Sequence, residues 1–380
     1  MSTRQVIAAL VCMCMLVSCG GKRGTDFHVD EAITAPDTLT LHASMLTIAE
    51  LPESGASIAD IRNPWDESGY LARLLLVPRD SAIPEGASAG RTIIRTPVHR
   101  AAVFSAVHTS AMNELGALEA LVAVADGTFF APDDSVRQLL DHGKVVDAGS
   151  SQQPSQERLI AAQPEVVMLS PMQGQQMPAL PARSVSVPMA DYLESSPIGR
   201  AEWLLLIGKL FGKEDEAAAI FNKVVNDYCE LQLKAELAQG RPMVLVDTEY
   251  SGAWYVPAGE SYMARMIRDA GATTPWSDSK GTGSLTLNME RVLTGASEAD
   301  FWLVRTYGMQ PTLASVKAIN PLNARIKAWR EGNVYGCDTE ARPLFNDTAF
   351  HPERVLADLI AIFHPEIMEG YTPRYYSKAL

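Results

Sequence analysis

The stretch from Glu194 to Pro242 constrains the fold of this chain more than any other feature. Ser196 followed by Pro197 is typical of a helix start, because serine caps the first turn and proline in that turn loses no hydrogen bond. Apolar residues then recur at helical spacing as far as Gly212. A second amphipathic helix, predicted over residues 214–239, would be about 39 Å long at ~1.5 Å per residue. Strand and helix patterns of similar size lie on both sides. The sequence therefore predicts an α/β protein in which two Rossmann-like lobes with parallel-rich sheets are joined by a long rigid helix.

Residues 1–18 are interpreted as a removable signal peptide rather than as part of the fold. Arg4 supplies a positive charge, and the apolar run that follows is too short to span a bilayer. The run ends Leu-Val-Ser-Cys-Gly, which resembles a bacterial lipobox and predicts Cys19 as the lipidated first residue. Residues 19–37 would then be a flexible tether. The alternative is a plain secretory signal in which Cys12, Cys14 and Cys19 are ordinary apolar residues.

The composition narrows the choice of partners. The net charge is −13, and no basic run carries interleaved aromatic residues, so nucleic acid is not an expected partner. Cys229 and Cys337 have no companions at metal-ligand spacing, so no zinc site and no cofactor are predicted. These two cysteines could form one disulfide outside the cytoplasm or remain two buried thiols.

One short segment matches a catalytic motif in spacing alone. Residues 86–90 read Gly-Ala-Ser-Ala-Gly, the pattern of the nucleophile elbow of α/β-hydrolases. That elbow needs a strand before it and a helix after it. A proline-bearing loop precedes this copy and the strand-like residues 91–94 follow it, so it is not a hydrolase signal.

The remaining chain divides into four parts. Residues 38–98 are predicted to form an antiparallel β flap on the first lobe, too small to be a domain of its own, with strands at 38–43, 46–49, 58–65 and 71–78. The first lobe covers residues 99–196, and the linking helices cover residues 197–240. The second lobe covers residues 241–380.

Strands alternate with helices in both lobes, which predicts parallel sheets. In the first lobe the predicted strands are 100–105, 121–126, 145–149, 165–170 and 184–188, and the predicted helices are 108–118, 136–142 and 154–163. In the second lobe the predicted strands are 242–247, 300–305 and 332–337, and the predicted helices are 262–270, 288–293, 324–330 and 352–362. Residues 248–255 are predicted to be a loop.

Four blocks of sequence resemble a known family, over residues 100–364. They are residues 104–108 with 113–118, residues 155–168, the linking helix, and residues 287–293 with 299–304. In these blocks the chain is similar to the helical-backbone (class III) substrate-binding proteins of ABC importers, which deliver iron–siderophore complexes, haem or cobalamin. In residues 155–168 a glutamate is followed, further along the chain, by Pro-Glu and an apolar strand. The corresponding unit of the second lobe, in residues 287–304, lacks the proline. The β prefix and residues 189–203 resemble a subgroup of iron-complex binders.

The resemblance implies two docking residues. In the family, one glutamate on the upper surface of each lobe contacts arginines of the membrane permease, and Glu157 and Glu290 occupy the matching positions. Exposed charges of this kind raise the rate at which two proteins associate more than they raise the affinity of the complex. The alternative for each is a first-turn glutamate favoured by the helix dipole. The implied partners are the permease and ATPase subunits, with the membrane reached only through the lipid anchor.

The ligand is expected in the cleft between the lobes, where loops at the carboxyl ends of parallel strands converge. The candidate ligand-binding residues are Ser105, His108, Phe129, Phe130, Met172, Asp191, Tyr192, Tyr250, Trp254, Tyr255, Arg305 and Tyr307, with Ser150, Met177, Glu249 and Phe345 as further candidates. Aromatic faces suit a flat macrocycle or catecholate rings, and Arg305 would balance an anionic chelate. No metal is bound directly, although His108 could be an axial ligand. His108 could equally be a satisfied core residue, Trp254 and Tyr255 could pack a loop, and the methionines could be surface residues.

The leading hypothesis is therefore a non-catalytic lipoprotein of an ABC importer. It would capture an iron chelate, a siderophore or haem, on the periplasmic side or on the outer face of the cell membrane. Cobalamin is the alternative cargo. A chelatase-like enzyme on the same scaffold would need His108 with Asp191 or Glu249, and an adhesin would have an incidental cleft.

Overall fold

A computed structural model of the chain describes residues 37–66, 69–127 and 134–380. The predicted signal peptide, Cys19, most of the tether, Phe129 and Phe130 lie outside these ranges. Within them the chain forms an α/β structure of two lobes, a long linking helix and a β flap. This architecture confirms the predicted fold class.

The flap is a five-stranded sheet in the order β1-β2-β3-β4-β5. Its strands are β1 (Asp37–Thr38), β2 (Leu46–Leu51), β3 (Ala56–Arg62), β4 (Tyr70–Pro78) and β5 (Thr92–Thr96). The prediction of a purely antiparallel flap is wrong, because β5 pairs with β4 in parallel. The segment 79–91 between these two strands is long enough for the crossover that a parallel pair requires.

The flap packs on the first lobe through one continuous core. Leu46, Ile61 and Leu74 of the flap belong to the same cluster of buried apolar side chains as Met112 and Met168 of the lobe. The flap also approaches the linker closely, because a Cβ atom at Gly199 would lie 2.5 Å from the carbonyl oxygen of His42. Only glycine fits at this contact.

Buried glutamates explain why the strand predicted at 38–43 does not form beyond Thr38. The backbone N–H groups of Leu41, His42 and Ala43 donate to the Glu202 carboxylate at 2.7–2.9 Å. The next two, of Ser44 and Met45, donate to Glu194 at 2.8 and 2.9 Å. Five consecutive N–H groups are thus bound by side chains of the linker region instead of by a neighbouring strand.

The first lobe is a parallel sheet in the order β10-β9-β6-β7-β8 with helices between its strands. Its elements are β6 (Ala101–Val103), α1 (Ala106–Glu114), β7 (Leu121–Val124), α2 (Ser135–Asp141), β8 (Val146–Asp147), α3 (Gln156–Ala162), β9 (Val166–Leu169) and β10 (Val185–Pro188). The predicted parallel sheet is confirmed. The first helix begins two residues earlier than predicted and ends at Glu114.

Three helices link the lobes: α4 (Pro197–Ala201), α5 (Leu204–Phe211) and α6 (Glu214–Ala235). The Ser196 side chain caps α4 as predicted, and Gly212 ends α5 in the left-handed conformation with φ of 66°. The long helix has 22 residues, four fewer than predicted, and so spans about 33 Å. The single first helix that the sequence predicted is broken at Glu202 and Trp203.

The second lobe contains two sheets, in the orders β11-β15-β16-β17 and β12-β13-β14. Its strands are β11 (Val244–Val246), β12 (Glu249–Tyr250), β13 (Ala253–Pro257), β14 (Ser284–Leu287), β15 (Phe301–Thr306), β16 (Val334–Asp338) and β17 (Ser377–Lys378). Its helices are α7 (Tyr262–Asp269), α8 (Met289–Ala296), α9 (Leu313–Ile319), α10 (Lys327–Arg330), α11 (Leu344–Phe350) and α12 (Pro352–Phe363). The prediction of a loop over residues 248–255 is wrong, because β12 and β13 form a hairpin there.

A charged contact joins the two lobes beside the long helix. The His351 ring lies between two carboxylates, with Nε2 2.7 Å from Glu114 of the first lobe and Nδ1 3.0 Å from Glu353. Burial alone would lower the pKa of His351, but these carboxylates raise it to about 9. The imidazolium form therefore bridges the lobes at neutral pH.

The two mature cysteines are not joined. Cys337 is buried in the second lobe, whereas Cys229 is exposed on α6. Within the described ranges, no helix is both long enough and apolar enough to cross a membrane.

Candidate functional site

Residues at the carboxyl edges of the two sheets come together where the lobes touch. α1 follows β6 at this edge of the first lobe, and its His108 ring lies 6.4 Å from the Phe350 ring of the second lobe. Arg200 of α4 lies over the ring of Tyr262 in α7, with its guanidinium carbon 5.5 Å from the ring centroid. Ligands of open α/β sheets bind at such carboxyl edges. The junction between the lobes is therefore the candidate ligand site.

Large apolar side chains are exposed at both edges. The exposed fractions are 49% for Met172 and 40% for Tyr192 in the first lobe, and 74%, 47% and 61% for Tyr250, Tyr255 and Tyr307 in the second. Met177, Met309 and Phe345 are also exposed. Ser105 is partly buried at the N-terminus of α1, and Ser150 is exposed after β8. Exposed aromatic and thioether side chains on both sides of a cleft are typical of a ligand site.

Trp254 does not belong to this exposed set. It is fully buried, stacks on Trp302 at 5.7 Å and donates its indole N–H to the carbonyl oxygen of Val246 at 3.0 Å. In the hairpin, residues alternate between the two faces, so Tyr255 faces outward while Trp254 packs inward. The prediction that Trp254 contacts the ligand is wrong for this conformation.

His108 and Asp191 are also buried rather than exposed to the cleft. Their side chains pair at 2.8 Å between Nε2 and Oδ1, and Arg200 Nε donates to the other carboxylate oxygen at 3.1 Å. Burial alone would raise the pKa of Asp191, but His108 and Arg200 lower it below its usual range. His108 is 1% exposed, so it cannot act as an axial metal ligand in this conformation. The same burial removes the support for a chelatase-like use of these residues.

Arg305 lies at the end of β15 in a fixed ion pair. Its Nε donates to Asp247 Oδ1 at 2.8 Å, and a second N–H group donates to the other carboxylate oxygen. The guanidinium carbon lies 5.6 Å from the ring centroid of Phe345. Burial alone would lower the pKa of Arg305, but Asp247 raises it above its usual value. The predicted cation is present at the cleft, and a carboxylate already neutralises it.

Sequence reasoning missed Asp247 and Tyr262. Asp247 follows β11 with a left-handed φ of 62°. Its backbone N–H donates to the carbonyl oxygen of Leu303, and its carbonyl oxygen accepts the indole N–H of Trp302. The sequence signal that could have identified Asp247 is its place as a polar residue directly after the first strand of the lobe.

Among the described residues, no group of three or more His, Cys, Asp and Glu side chains is arranged to hold a metal ion.

Glu157 and Glu290 occupy equivalent places in the two lobes. Each lies exposed in the first turn of a helix, α3 or α8, whose cap, Ser155 or Asn288, accepts a hydrogen bond from the backbone of the same turn. α3 precedes β9 and α8 precedes β15, so both helix starts lie at the carboxyl edge of a parallel sheet. The geometry is compatible with the docking role that the resemblance implied.

Comparisons with known proteins agree with this architecture. A family model described as periplasmic binding protein matches residues 102–341. The chain is 26% identical over 321 residues to an uncharacterized lipoprotein of Methanocaldococcus jannaschii, covering 80% of this chain and 76% of that protein. A periplasmic heme binding protein from Pseudomonas aeruginosa superposes with a TM-score of 0.56 at 15% identity, covering 74% of this chain and 98% of that chain. An ABC-type Fe3+-hydroxamate transport protein from Saccharomonospora viridis gives a TM-score of 0.53 at 18% identity, covering 71% and 95% of the two chains.

Two α/β lobes joined by one long helix are the fold that this chain shares with these binding proteins. The matched region runs from β6 of the first lobe through the linker to residue 341 of the second lobe, and the chain belongs to the periplasmic binding protein family.

Proposed function

We propose that this chain is the lipid-anchored binding protein of an ABC importer for an iron chelate, a siderophore or haem. It holds the chelate in the cleft between the lobes and delivers it to the membrane permease. Lipidation at Cys19 would keep it in the cell envelope, facing the periplasm or the outer side of the cell membrane. Two structurally similar proteins, described as a heme binding protein and as an Fe3+-hydroxamate transport protein, support this class of cargo.

The observation that carries the proposal is the set of exposed apolar side chains on both sides of the cleft. Tyr250, Tyr255 and Tyr307 come from the second lobe, and Met172 and Tyr192 come from the first. Their faces match the organic shell of a metal chelate, which presents rings and methylene groups around a coordinated ion. A chelate brings its own metal ligands, so the cleft needs only to pack and orient it.

Titration of the purified protein with ferric chelates, followed by quenching of intrinsic fluorescence, tests the proposal. Saturable binding with one chelate per chain is expected. Tyr307→Ala should weaken it about tenfold, because a buried aromatic contact contributes about 1.4 kcal/mol or more. Tyr70→Ala, at a tyrosine 49% exposed on the flap, is the matched control and should leave binding unchanged. Equal weakening by both variants would contradict a site in the cleft.

The Glu157→Ala/Glu290→Ala double variant is expected to bind its chelate normally and to lose most transport. Both carboxylates lie at the cleft side of their lobes, where exposed charges can guide docking onto a cationic permease surface. Chelate uptake in proteoliposomes or cells that contain the permease measures the effect. Glu119→Ala/Glu298→Ala is the matched control, because these exposed glutamates precede β7 and β15 at the opposite edges of the same sheets. Equal uptake by the two double variants would rule out the docking role.

A further inference from the structure

We infer that the cleft selects neutral or cationic chelates and rejects strongly anionic ones. The inference rests on the proposed function and assigns the charge class of its cargo. It starts from the cationic side chains of the cleft, because a cleft built for an anionic chelate presents unpaired arginines or lysines to it.

The two arginines nearest the cleft floor are both paired with aspartates. Arg305 makes a two-point ion pair with Asp247, and about one fifth of the Arg305 side chain is exposed. Arg200 donates to Asp191, which is buried, and its own side chain is 14% exposed. Each positive charge is therefore cancelled within hydrogen-bonding distance before any ligand arrives.

The segments that follow the parallel strands add almost no further positive charge. In the described parts of 104–105, 125–127, 148–155, 170–180, 189–196, 247–261, 307–312 and 339–343, the one basic residue is Arg342. Its guanidinium donates to the carbonyl oxygen of Arg374 in the C-terminal tail. Arg158, in the first helical turn beyond residue 155, likewise donates to a carbonyl oxygen, that of Asp147. These carbonyl oxygens hold the two guanidinium groups in place without cancelling their charges.

Several carboxylates at the same edges accept hydrogen bonds from neutral groups rather than from cations. Asp126 accepts a backbone N–H at 3.3 Å, and Glu249 accepts the side-chain amide of Asn320 at 2.9 Å. Asp338 accepts the backbone N–H groups of Gly308 and Glu340 at 2.9 and 3.1 Å. Partial burial and the adjacent Glu340 raise the pKa of Tyr307, so this exposed phenol stays protonated at neutral pH. Acidic residues outnumber basic ones in these segments, so their net charge is negative, which attracts cations and repels anions.

Aspartate 247 is the residue that sets this preference. Its left-handed backbone is held by two hydrogen bonds, from its own N–H to the carbonyl oxygen of Leu303 and from the Trp302 indole N–H to its carbonyl oxygen, and its carboxylate faces Arg305. Removing its charge would leave the Arg305 guanidinium, which lies over the Phe345 ring, without a compensating carboxylate. The cleft would then resemble one built for an anionic chelate.

Titrations with ferrioxamine B, a singly cationic ferric hydroxamate, and with ferric enterobactin, a trianionic ferric catecholate, test the inference. The protein should bind the cation at least about tenfold more tightly, and its affinity should fall as salt is added. Asp247→Asn should raise affinity for the trianion at least about tenfold. Asp300→Asn is the matched control, because it removes the same charge and frees Lys327 from its 2.7 Å ion pair at the opposite end of β15.

Each outcome bears on a different claim. Tighter binding of the trianion by the unmodified protein would overturn the inference and leave the proposed function standing. Equal effects of Asp247→Asn and Asp300→Asn would also overturn it, because Arg305 would then not face the cargo. If Asp247→Asn does not fold, Glu340→Gln replaces it, and failure of this variant to weaken ferrioxamine B binding would count against the inference. Binding of neither chelate, nor of haemin or cyanocobalamin, would reject the proposed function itself.

Discussion

Glu202→Ala is expected to lower the free energy of unfolding by about 3–5 kcal/mol. The Glu202 side chain is 1% exposed and accepts three consecutive backbone N–H groups of the flap at 2.7–2.9 Å. Alanine would leave these donors without partners, and each buried unsatisfied group costs about 1–3 kcal/mol. Urea denaturation at neutral pH measures the change, and amide hydrogen exchange at residues 41–43 shows whether the flap is released.

Glu50→Ala is the matched control for this prediction. Glu50 also joins the flap to the linker, through a 2.6 Å ion pair with Lys209, but its side chain is 42% exposed. Exposed ion pairs contribute about 1 kcal/mol or less, so this variant should be close to unmodified protein. Unchanged stability and unchanged exchange protection in Glu202→Ala would show that the carboxylate does not hold the flap.

Asp191→Asn is expected to destabilise the protein by about 3–5 kcal/mol. The aspartate is 2% exposed and pairs with both His108 and Arg200, so its loss leaves the guanidinium without a compensating charge. Breaking a buried pair by removing one member is costly because the remaining charge is still desolvated. Thermal and urea unfolding at neutral pH, with the Trp fluorescence of the folded state as the signal, give the size of the effect.

Asp300→Asn again supplies the comparison for an ion pair that is not buried. The Asp300 and Lys327 side chains are 35% and 31% exposed, so the same substitution there should cost about 1 kcal/mol or less. If the two variants lost equal stability, burial would not be the reason for the cost, and the buried network would not hold the floor of the cleft in place.

The elements that sequence predicted well are those fixed by local chemistry. Ser196 and Pro197 begin α4, and Gly212 ends α5, because capping and left-handed backbone need particular residue types close in sequence. Alternating apolar strands and helices were enough to predict the parallel sheet of the first lobe and the parallel strands β11, β15 and β16 of the second, but not the antiparallel strand β17 or the antiparallel sheet β12-β13-β14. The exposed tyrosines at the carboxyl edges followed from the same topology.

The errors have a common physical origin in contacts between residues distant in sequence. The alternation of residues 38–43 suggested a strand, but the N–H groups of residues 41–43 donate to the Glu202 side chain instead of to a neighbouring strand. Glu202 lies about 160 positions away in the sequence, so this contact was not visible from the local pattern. Arg305 looked like a free cation because its partner Asp247 is 58 residues away. Trp254 and Tyr255 looked alike until the hairpin placed them on opposite faces.

Isolation of the protein from the envelope of its own cells tests the capture of a metal chelate most directly. Metal analysis, the absorption spectrum and mass spectrometry of the released ligand would be measured on one preparation, with Tyr307→Ala expressed in parallel. One iron chelate per chain is expected, with depletion in the variant. Preparations that carry no chelate, and that take up none from a mixture of ferric hydroxamates, catecholates, haemin and cobalamin, would contradict the proposed function.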